Sequence, residues 1–362
     1  MENVLVTGGA GFIGSNFIQY LFEENPSVQI INLDALTYAG NNKNLEEISK
    51  NQRYHFVHGN ICDEALVENI FSNFYIDTVV HFAAETHVDR SINNPMLFIQ
   101  TNTIGTTTLL NAALKFWLPK LQKSIKQFRF HHISTDEVYG SLEPDQKAFT
   151  ENSPYFPNSP YAASKAASDH LVRAYYQTYH LPVTISNCSN NYGPYQFPEK
   201  LIPLTIENAI HGKPLPIYGD GKQIRDWLYV RDHCNAIVEI IEKGEAGESF
   251  NIGGNNQPTN LEIVTTICEI LGRILPSSAN TPYSNLIRFV SDRPGHDRRY
   301  AMDITKIKSR LGWEPKEKFQ NGLEKTVKWY LDHPDWINSI VSKEEYQKWI
   351  KMNYEKRIEE KK

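Results

Sequence analysis

The sequence predicts an α/β chain in which a doubly wound parallel sheet is followed by a smaller α/β domain. Three observations point there. Short apolar runs alternate with helix-period patterns through the first half. A glycine-rich turn joins the first of those runs to the first helix. Beyond Asn190 the texture changes to loops rich in proline and glycine. Strands in regular exchange with helices imply a parallel sheet covered on both faces, because each crossover lays a helix over the strands that it joins.

Taken in order, Val4–Thr7 is an apolar run of strand length, and Phe12–Glu23 follows it with helical spacing. Val28–Leu33 and Tyr54–Val57 are strands, Leu66–Phe74 a helix, Thr78–Phe82 a strand, Thr103–Trp117 a helix, and Phe128–Ile133 an apolar, aromatic strand. A helix from about Tyr161 to Tyr179 and a strand at Val183–Asn187 continue the exchange. These place a first domain over residues 1–190, with a return to its sheet at about 226–252. Residues 191–362 form the second domain, whose helical patterns lie near Leu201–Ile210, Asp232–Lys243, Leu261–Leu271 and Ile304–Leu311. The charged stretch Glu344–Lys362 reads as a solvated helix or a frayed end.

With 362 residues and 40% hydrophobic content, the chain can bury a substantial core. Its 37 basic and 42 acidic side chains nearly balance, so no basic field marks a nucleic-acid or membrane partner, and an anionic ligand must be met by local donors. Cys62, Cys188, Cys234 and Cys268 lie far apart with no C-x-x-C pair. That fits reduced thiols better than a disulfide frame or a zinc site, and no metal is expected. The amino terminus runs directly into a strand with no long apolar leader, so the expected location is cytoplasmic.

Thr7–Gly14 reads T-G-G-A-G-F-I-G, with Gly8, Gly11 and Gly14 between a strand and a helix. Glycines there permit the tight turn, the approach of a pyrophosphate to the backbone, and close helix–strand packing. A glycine turn alone is weak, since structural turns favour the same residue. Asp34, twenty residues after Gly14 at the end of the second strand, supplies the second half of a Rossmann-type site: a carboxylate for the adenosine ribose hydroxyls. It would repel a 2′-phosphate, which favours NAD over NADP.

Tyr161 and Lys165, four apart at the start of a helix, share one face. A phenol ionises near 10, and one ammonium about 4 Å away at an effective dielectric near 20 supplies roughly 4 kcal/mol, equivalent to about three pKa units. That predicts a Tyr161 phenol brought near working pH. Asp136 and Glu137 follow a strand, where burying charge is costly unless something pairs or uses it. An isolated pair of this kind is usually a cap beside a surface residue.

The combination of TGGAGFIG, LTYAGN at 36–41, HFAAETHVDRSI at 81–92, HHISTDEVYG, SPYAASKAASDHLV, NCSNNYGPY, FPEKLIPL, PLPIYGDGKQIRDWLYV, NIGG and DRPGHDRRYA resembles the dTDP-glucose 4,6-dehydratase family of extended short-chain dehydrogenase/reductases, from the amino terminus to about Tyr354. The Thr135-Asp136-Glu137 triplet is its most specific mark, since related sugar-nucleotide epimerases usually lack the two acids. The resemblance implies bound NAD, a dTDP-glucose substrate and a homodimer formed through two helices per subunit, one of them Thr103–Trp117. It also implies roles. Tyr161, with Lys165, removes the C4 hydroxyl proton, and Thr135 hydrogen-bonds the same oxygen. Glu137 takes the C5 proton, and protonated Asp136 serves the departing C6 hydroxyl.

By the same resemblance Phe12 and Ile13 line the pyrophosphate turn, and Leu36 and Thr37 flank the adenosine. Asn60-Ile61 lies beside the adenine, where the family more often has Asp-Ile, and Ala35 stands where lysine is frequent. Ala83 and Ala84 permit close approach, and Thr86 and Thr101 offer hydroxyls. Asn190, Lys200 and Leu201 match positions holding the sugar nucleotide. Pro216, Ile217, Tyr218 and Arg225 match its base and phosphate pocket, joined by Asn260, Asp292, Arg293 and His296. Two other readings are a sugar-nucleotide 4-epimerase or decarboxylase of the same superfamily, against which the two acids argue, and a non-catalytic NAD-binding sensor.

Overall fold

The computed structural model describes residues 1–121, 127–277, 281–292 and 295–355. The first strand, β1 (Asn3–Thr7), leads through α1 (Phe12–Glu24) to β2 (Gln29–Asp34), then β3 (Tyr54–His58), α2 (Glu64–Phe74) and β4 (Thr78–His81). Short helices α3 (Val88–Asn93) and α4 (Pro95–Phe98) and a π-helical turn at Ile99–Gly105 run into α5 (Thr106–Leu121). Next come β5 (Arg129–Thr135), α6 (Pro160–Tyr179), β6 (Val183–Cys188) and β7 (Asn190–Tyr192).

The rest of the chain alternates between lobes. It contains α7 (Leu201–Ile210), β8 (Leu215–Tyr218), β9 (Trp227–Tyr229), α8 (Val230–Lys243), β10 (Ser249–Ile252), α9 (Asn260–Ile274) and β11 (Ile287–Val290). It closes with α10 (Thr305–Leu311), α11 (Phe319–Asp332), α12 (Pro334–Val341), α13 (Glu344–Ile350) and a π-helical turn at Lys351–Glu355.

Seven strands form one parallel sheet in the order β3-β2-β1-β4-β5-β6-β10. Both faces are covered, as a parallel sheet requires. On β1, Leu5 packs into the core beneath α2, α5 and α6, whereas Val4 and Val6 pack into the core beneath α1 and α8, and all three are fully buried. Strand order reverses between β1 and β4. At such a reversal the crossovers leave in opposite directions and open a crevice at the carboxyl ends of the strands.

The second lobe is built on two short parallel pairs, β8 with β11 and β7 with β9, around a core that includes Ile206, Ile263, Ile267 and Val327. No helix among the described residues is long and apolar enough to cross a membrane.

Three elements differ from expectation. The strand predicted at Phe128–Ile133 runs on to Thr135, because Ser134 and Thr135 pair in register with Asn187 and Cys188 of β6. Thr103 to Gly105 belong to the π-helical turn, and the helix begins after them. Its apolar face, with Leu109, Leu110, Ala113 and Trp117, is consumed by the sheet. The charged end is not frayed where it is described: Tyr346 and Trp349 of α13 are buried, and the Tyr346 hydroxyl donates to Pro198 O at 3.1 Å.

Candidate active site

The crevice is a cleft of about 1770 Å³ including its open mouth. It gathers Gly8, Gly11, Phe12, Ile13, Gly14, Asp34, Thr37, Asn60, Ile61, Ala83, Ala84, Thr86 and Thr101 on one side. Thr135, Asp136, Glu137, Tyr161, Lys165, Asn190 and Lys200 complete it. These residues come from strand ends, loops and helices between positions 8 and 200, and the parallel sheet delivers them to one edge.

The glycine turn is shaped by contact. Gly8 has φ +72°, and a Cβ there would stand 2.7 Å from Ala83 Cα, so the chain just beyond β1 and the chain just beyond β4 touch only because Gly8 has no side chain. At Gly14 a Cβ would stand 2.4 Å from Gly8 O. Gly11 is the N-cap of α1 and offers no side-chain cap, and the first turn carries no acid. The free N–H groups and positive dipole end of α1 thus face the cleft, ready for a pyrophosphate.

Asp34 clamps this loop, accepting from Ala10 N at 2.9 Å and Leu36 N at 2.8 Å. Burial raises its pKa, opposed by those two bonds. A carboxylate has about four acceptor positions, which leaves lone pairs for a diol. Leu36 holds a left-handed backbone, φ 48°, to make its bond. Asn60 caps its own turn, its Oδ1 accepting from Cys62 N at 2.8 Å.

Helix α6 is launched by Ser159, whose side chain accepts from Ala162 N at 3.1 Å, with Pro160 at the first helical position. Tyr161 and Lys165 are both buried on its inner face. Lys165 Nζ donates to Ile133 O at 2.7 Å and lies 3.2 Å from His132 Nε2, and burial lowers its pKa to about 8.

The expected lowering of the Tyr161 phenol is not what the protein alone provides. Burial raises that phenol well above its ordinary value and Glu137 adds to the rise, while a hydrogen bond with Thr135 opposes it. The sequence estimate counted the ammonium and left out the cost of burying the phenolate.

Thr135 Oγ1 lies 3.2 Å from Asp136 Oδ1 and accepts from Glu137 N at 3.3 Å. Asp136 is 2% exposed while Glu137 is half-buried. Burial first, then the neighbouring Glu137, pushes the Asp136 carboxyl well above the usual range, with Arg225 opposing. Burial thus favours the neutral form at Asp136, in the direction expected of two adjacent carboxyls in unequal environments.

The remaining predicted residues lie off the cleft wall. Leu36 flanks it, Leu201 opens α7, and Asn260 opens α9. Pro216, Ile217 and Tyr218 form β8; Ile217 faces the second lobe's core, so its backbone alone is presented. Tyr218 meets the His296 ring edge-on at 6.0 Å, and His296 Nδ1 lies 2.6 Å from Asp292 Oδ1. Arg225 is buried under Tyr300, its guanidinium donating to Ile224 O and Asp297 O. Arg293 lies outside the described residues.

The cleft also has walls that the sequence did not single out, among them Tyr38, Glu85, Cys188, Ser189, Asn191 and Glu199. Ser189 and Asn191 adjoin predicted Asn190, so adjacency was the available signal. For Glu199 there was none beyond Lys200: Arg90 donates to it at 3.3 Å while sandwiched between Tyr38 and Trp349, at 3.8 and 4.3 Å from the ring centroids. Cys188 is buried, which pushes its thiol up to about 12 and keeps it inert.

Residues 5–326 match the family model described as GDP-mannose 4,6 dehydratase. A dTDP-glucose 4,6-dehydratase of Salmonella typhimurium is 54% identical over 362 residues, covering 98% of this chain and 99% of the relative. The dTDP-glucose 4,6-dehydratase of Streptomyces venezuelae, solved with NAD bound, superposes with a TM-score of 0.85 at 45% identity, covering 93% of this chain and 99% of that one. The Bacillus anthracis dTDP-glucose 4,6-dehydratase in complex with NAD gives 0.82 at 46%, covering 94% and 100%. With the glycine turn, the α6 pair and the two carboxyls in one cleft, this chain belongs to the nucleotide-sugar 4,6-dehydratase family.

Proposed function

We propose that this protein is a dTDP-glucose 4,6-dehydratase that uses NAD as a retained cofactor, converting dTDP-glucose to dTDP-4-keto-6-deoxyglucose and water. Its product is a precursor for deoxysugars. The observation that carries this reading is a buried Asp136, whose neutral form burial favours, beside a half-exposed Glu137, both at the end of β5 in the cleft that holds Tyr161 and Lys165. An epimerase needs no such pair, and a non-catalytic NAD sensor needs neither acid.

The glycine turn, the open end of α1 and Asp34 fit NAD, as does a cleft large enough for a dinucleotide beside a sugar. Bound NAD supplies the place to which the C4 hydride goes and from which a hydride returns to C6. The chain's own groups do the rest. Tyr161 takes the C4 hydroxyl proton, and Thr135, hydrogen-bonded to the phenol, steadies the charge on the same oxygen. A C5 proton is hard to remove from a hexose until C4 is a ketone; Glu137 then removes it, and returns a proton to C5 when the hydride reaches C6. Asp136, already protonated, gives its proton to the leaving C6 hydroxyl. Positioned acids and bases of this kind typically contribute about 10²–10⁴-fold each.

In this reading residues 1–190, with α8 and β10 from the return at 226–252, hold NAD, and Asn190 at the border joins Lys200, Arg225, Asn260 and the Tyr218–His296 group of the second lobe around the sugar nucleotide. The protein works in the cytoplasm. It works as a homodimer, for which Met96, Ile99, Ile104 and Leu118 leave apolar side chains exposed around α5. Light scattering on the purified protein should return twice the 41.6 kDa chain mass; a monomer refutes this arrangement. Incubation with dTDP-glucose should yield the alkaline absorbance of a 4-keto-6-deoxy sugar, with UDP-glucose converted poorly. dTDP-galactose as product would mean epimerisation. Tyr161→Phe should lose turnover and keep NAD.

A further inference from the structure

Behind the Tyr161–Lys165 pair lies a buried polar cluster that the mechanism above does not use. Asp169 sits on α6 one turn beyond Lys165 and two beyond Tyr161, and it is 2% exposed. Its Oδ2 accepts from the Ser134 hydroxyl at 2.6 Å and the Tyr155 hydroxyl at 3.0 Å. Its Oδ1 lies 3.2 Å from His132 Nε2, and that same nitrogen lies 3.2 Å from Lys165 Nζ.

A single ring nitrogen cannot donate to the carboxylate and accept from the ammonium at once. The three groups therefore share one proton arrangement. Among the described residues neither Asp169 Oδ1 nor His132 Nδ1 has a hydrogen-bond partner, although both are buried. An isolated buried carboxylate is costly, so an acid held here without a charge to answer would be selected against by folding stability alone.

We propose that Asp169 is a positioning residue for the first proton transfer: by its charge, buried one helical turn beyond Lys165, it holds the Lys165 ammonium behind Tyr161, and through Ser134 it fixes the strand end that carries Thr135, Asp136 and Glu137. The inference rests on the dehydratase reading and deepens it. Lys165 needs the help. Burial drives its pKa down to about 8, and Asp169 is the largest influence opposing that fall. The groups facing Lys165 come from four elements. His81 on β4 and His132 on β5 are both kept neutral by burial, Asp169 lies on α6, and Cys188 lies on β6.

The sign follows. Without the Asp169 charge, Lys165 surrenders its proton at lower pH, Tyr161 loses its cation, and the phenol ionises only at higher pH. Asp169→Asn keeps the shape and one acceptor. Its acidic limb in kcat/KM against pH should move up by about one unit, the effect of one opposite charge at this range. Activity at pH 7 should fall about tenfold with KM nearly unchanged and NAD retained, and Asp169→Glu should recover part of the loss.

An Asp169→Asn profile that coincides with wild type overturns the proposal, whether or not thermal stability drops, because a merely structural residue moves stability and not the limb. Should Asp169→Asn fail to fold, Asp169→Ser carries the same test, since it too removes the charge and keeps a hydroxyl for the Ser134 and Tyr155 bonds. Wild-type protein inert toward dTDP-glucose sinks the dehydratase reading and this inference with it. Active wild type with an unmoved variant profile sinks the inference alone.

Discussion

At Asp136 and Glu137, neighbours in sequence, one carboxyl is buried, which favours its neutral form, while the other is half-exposed. That inequality lets an acid and a base stand side by side, and it makes their variants separable. Glu137→Gln should slow C5 proton removal by about 10²–10⁴-fold while C4 oxidation persists. Deuterium uptake at C5 from heavy water measures the first, and reduced-cofactor absorbance the second. Wild-type exchange at C5 in the variant would remove Glu137 from the role of base. These residues were legible because they are adjacent, as Tyr161 and Lys165 were legible at a spacing of four. The acidity of Tyr161 was not, since it depends on how much water surrounds the phenol. Asp169 could have been seen: it continues the Tyr161–Lys165 face at the helical period, and only its partners on other strands were hidden.

The element proposed to seat the NAD pyrophosphate is the turn between β1 and α1. Gly14→Ala would drive a Cβ to 2.4 Å from Gly8 O, a backbone atom that cannot swing aside. The expected outcome is NAD affinity weakened on the order of tenfold or more, read by titration of the apoprotein, with the sheet core unaffected. A variant that binds NAD as the wild type does would mean that the turn yields. Both glycine spacing and following helix were plain in the sequence, because local backbone sterics set them. The ends of β5 and the fate of α13 were not. Ser134 and Thr135 become strand residues only because β6 offers them partners. The tail docks because Trp349 finds the Arg90 guanidinium and the edge of His87, residues about 260 positions away.

Across the whole molecule, four histidines are sealed in the fold: His81, His131 and His132 in the sheet and His233 on α8, each fully buried with a pKa lowered by that burial. For His233 the folded value is about 3, against about 6.5 for a free imidazole. A lowered histidine pKa means that the unfolded chain binds the extra proton, so the stability it confers is intact above about pH 6.5 and is lost as pH falls toward 3. His233→Gln, which gives up the Nδ1 contact with Asn191 at 2.9 Å, should be less stable than wild type at pH 7.5. The gap should narrow by about 2 kcal/mol by pH 5, at about 1.4 kcal/mol per pH unit. Urea titrations at both pH values measure it, and a constant gap would show that His233 does not titrate. By itself the sequence determined the alternation of strands and helices, the glycine turn with Asp34, and the spacings that put Tyr161 with Lys165 and Asp136 with Glu137, because these depend on period and on near neighbours in the chain. Only the tertiary structure decided which acid is buried, which polar groups lie behind Lys165, and which walls close the cleft, because burial and contact across distant strands exist only once the chain has folded.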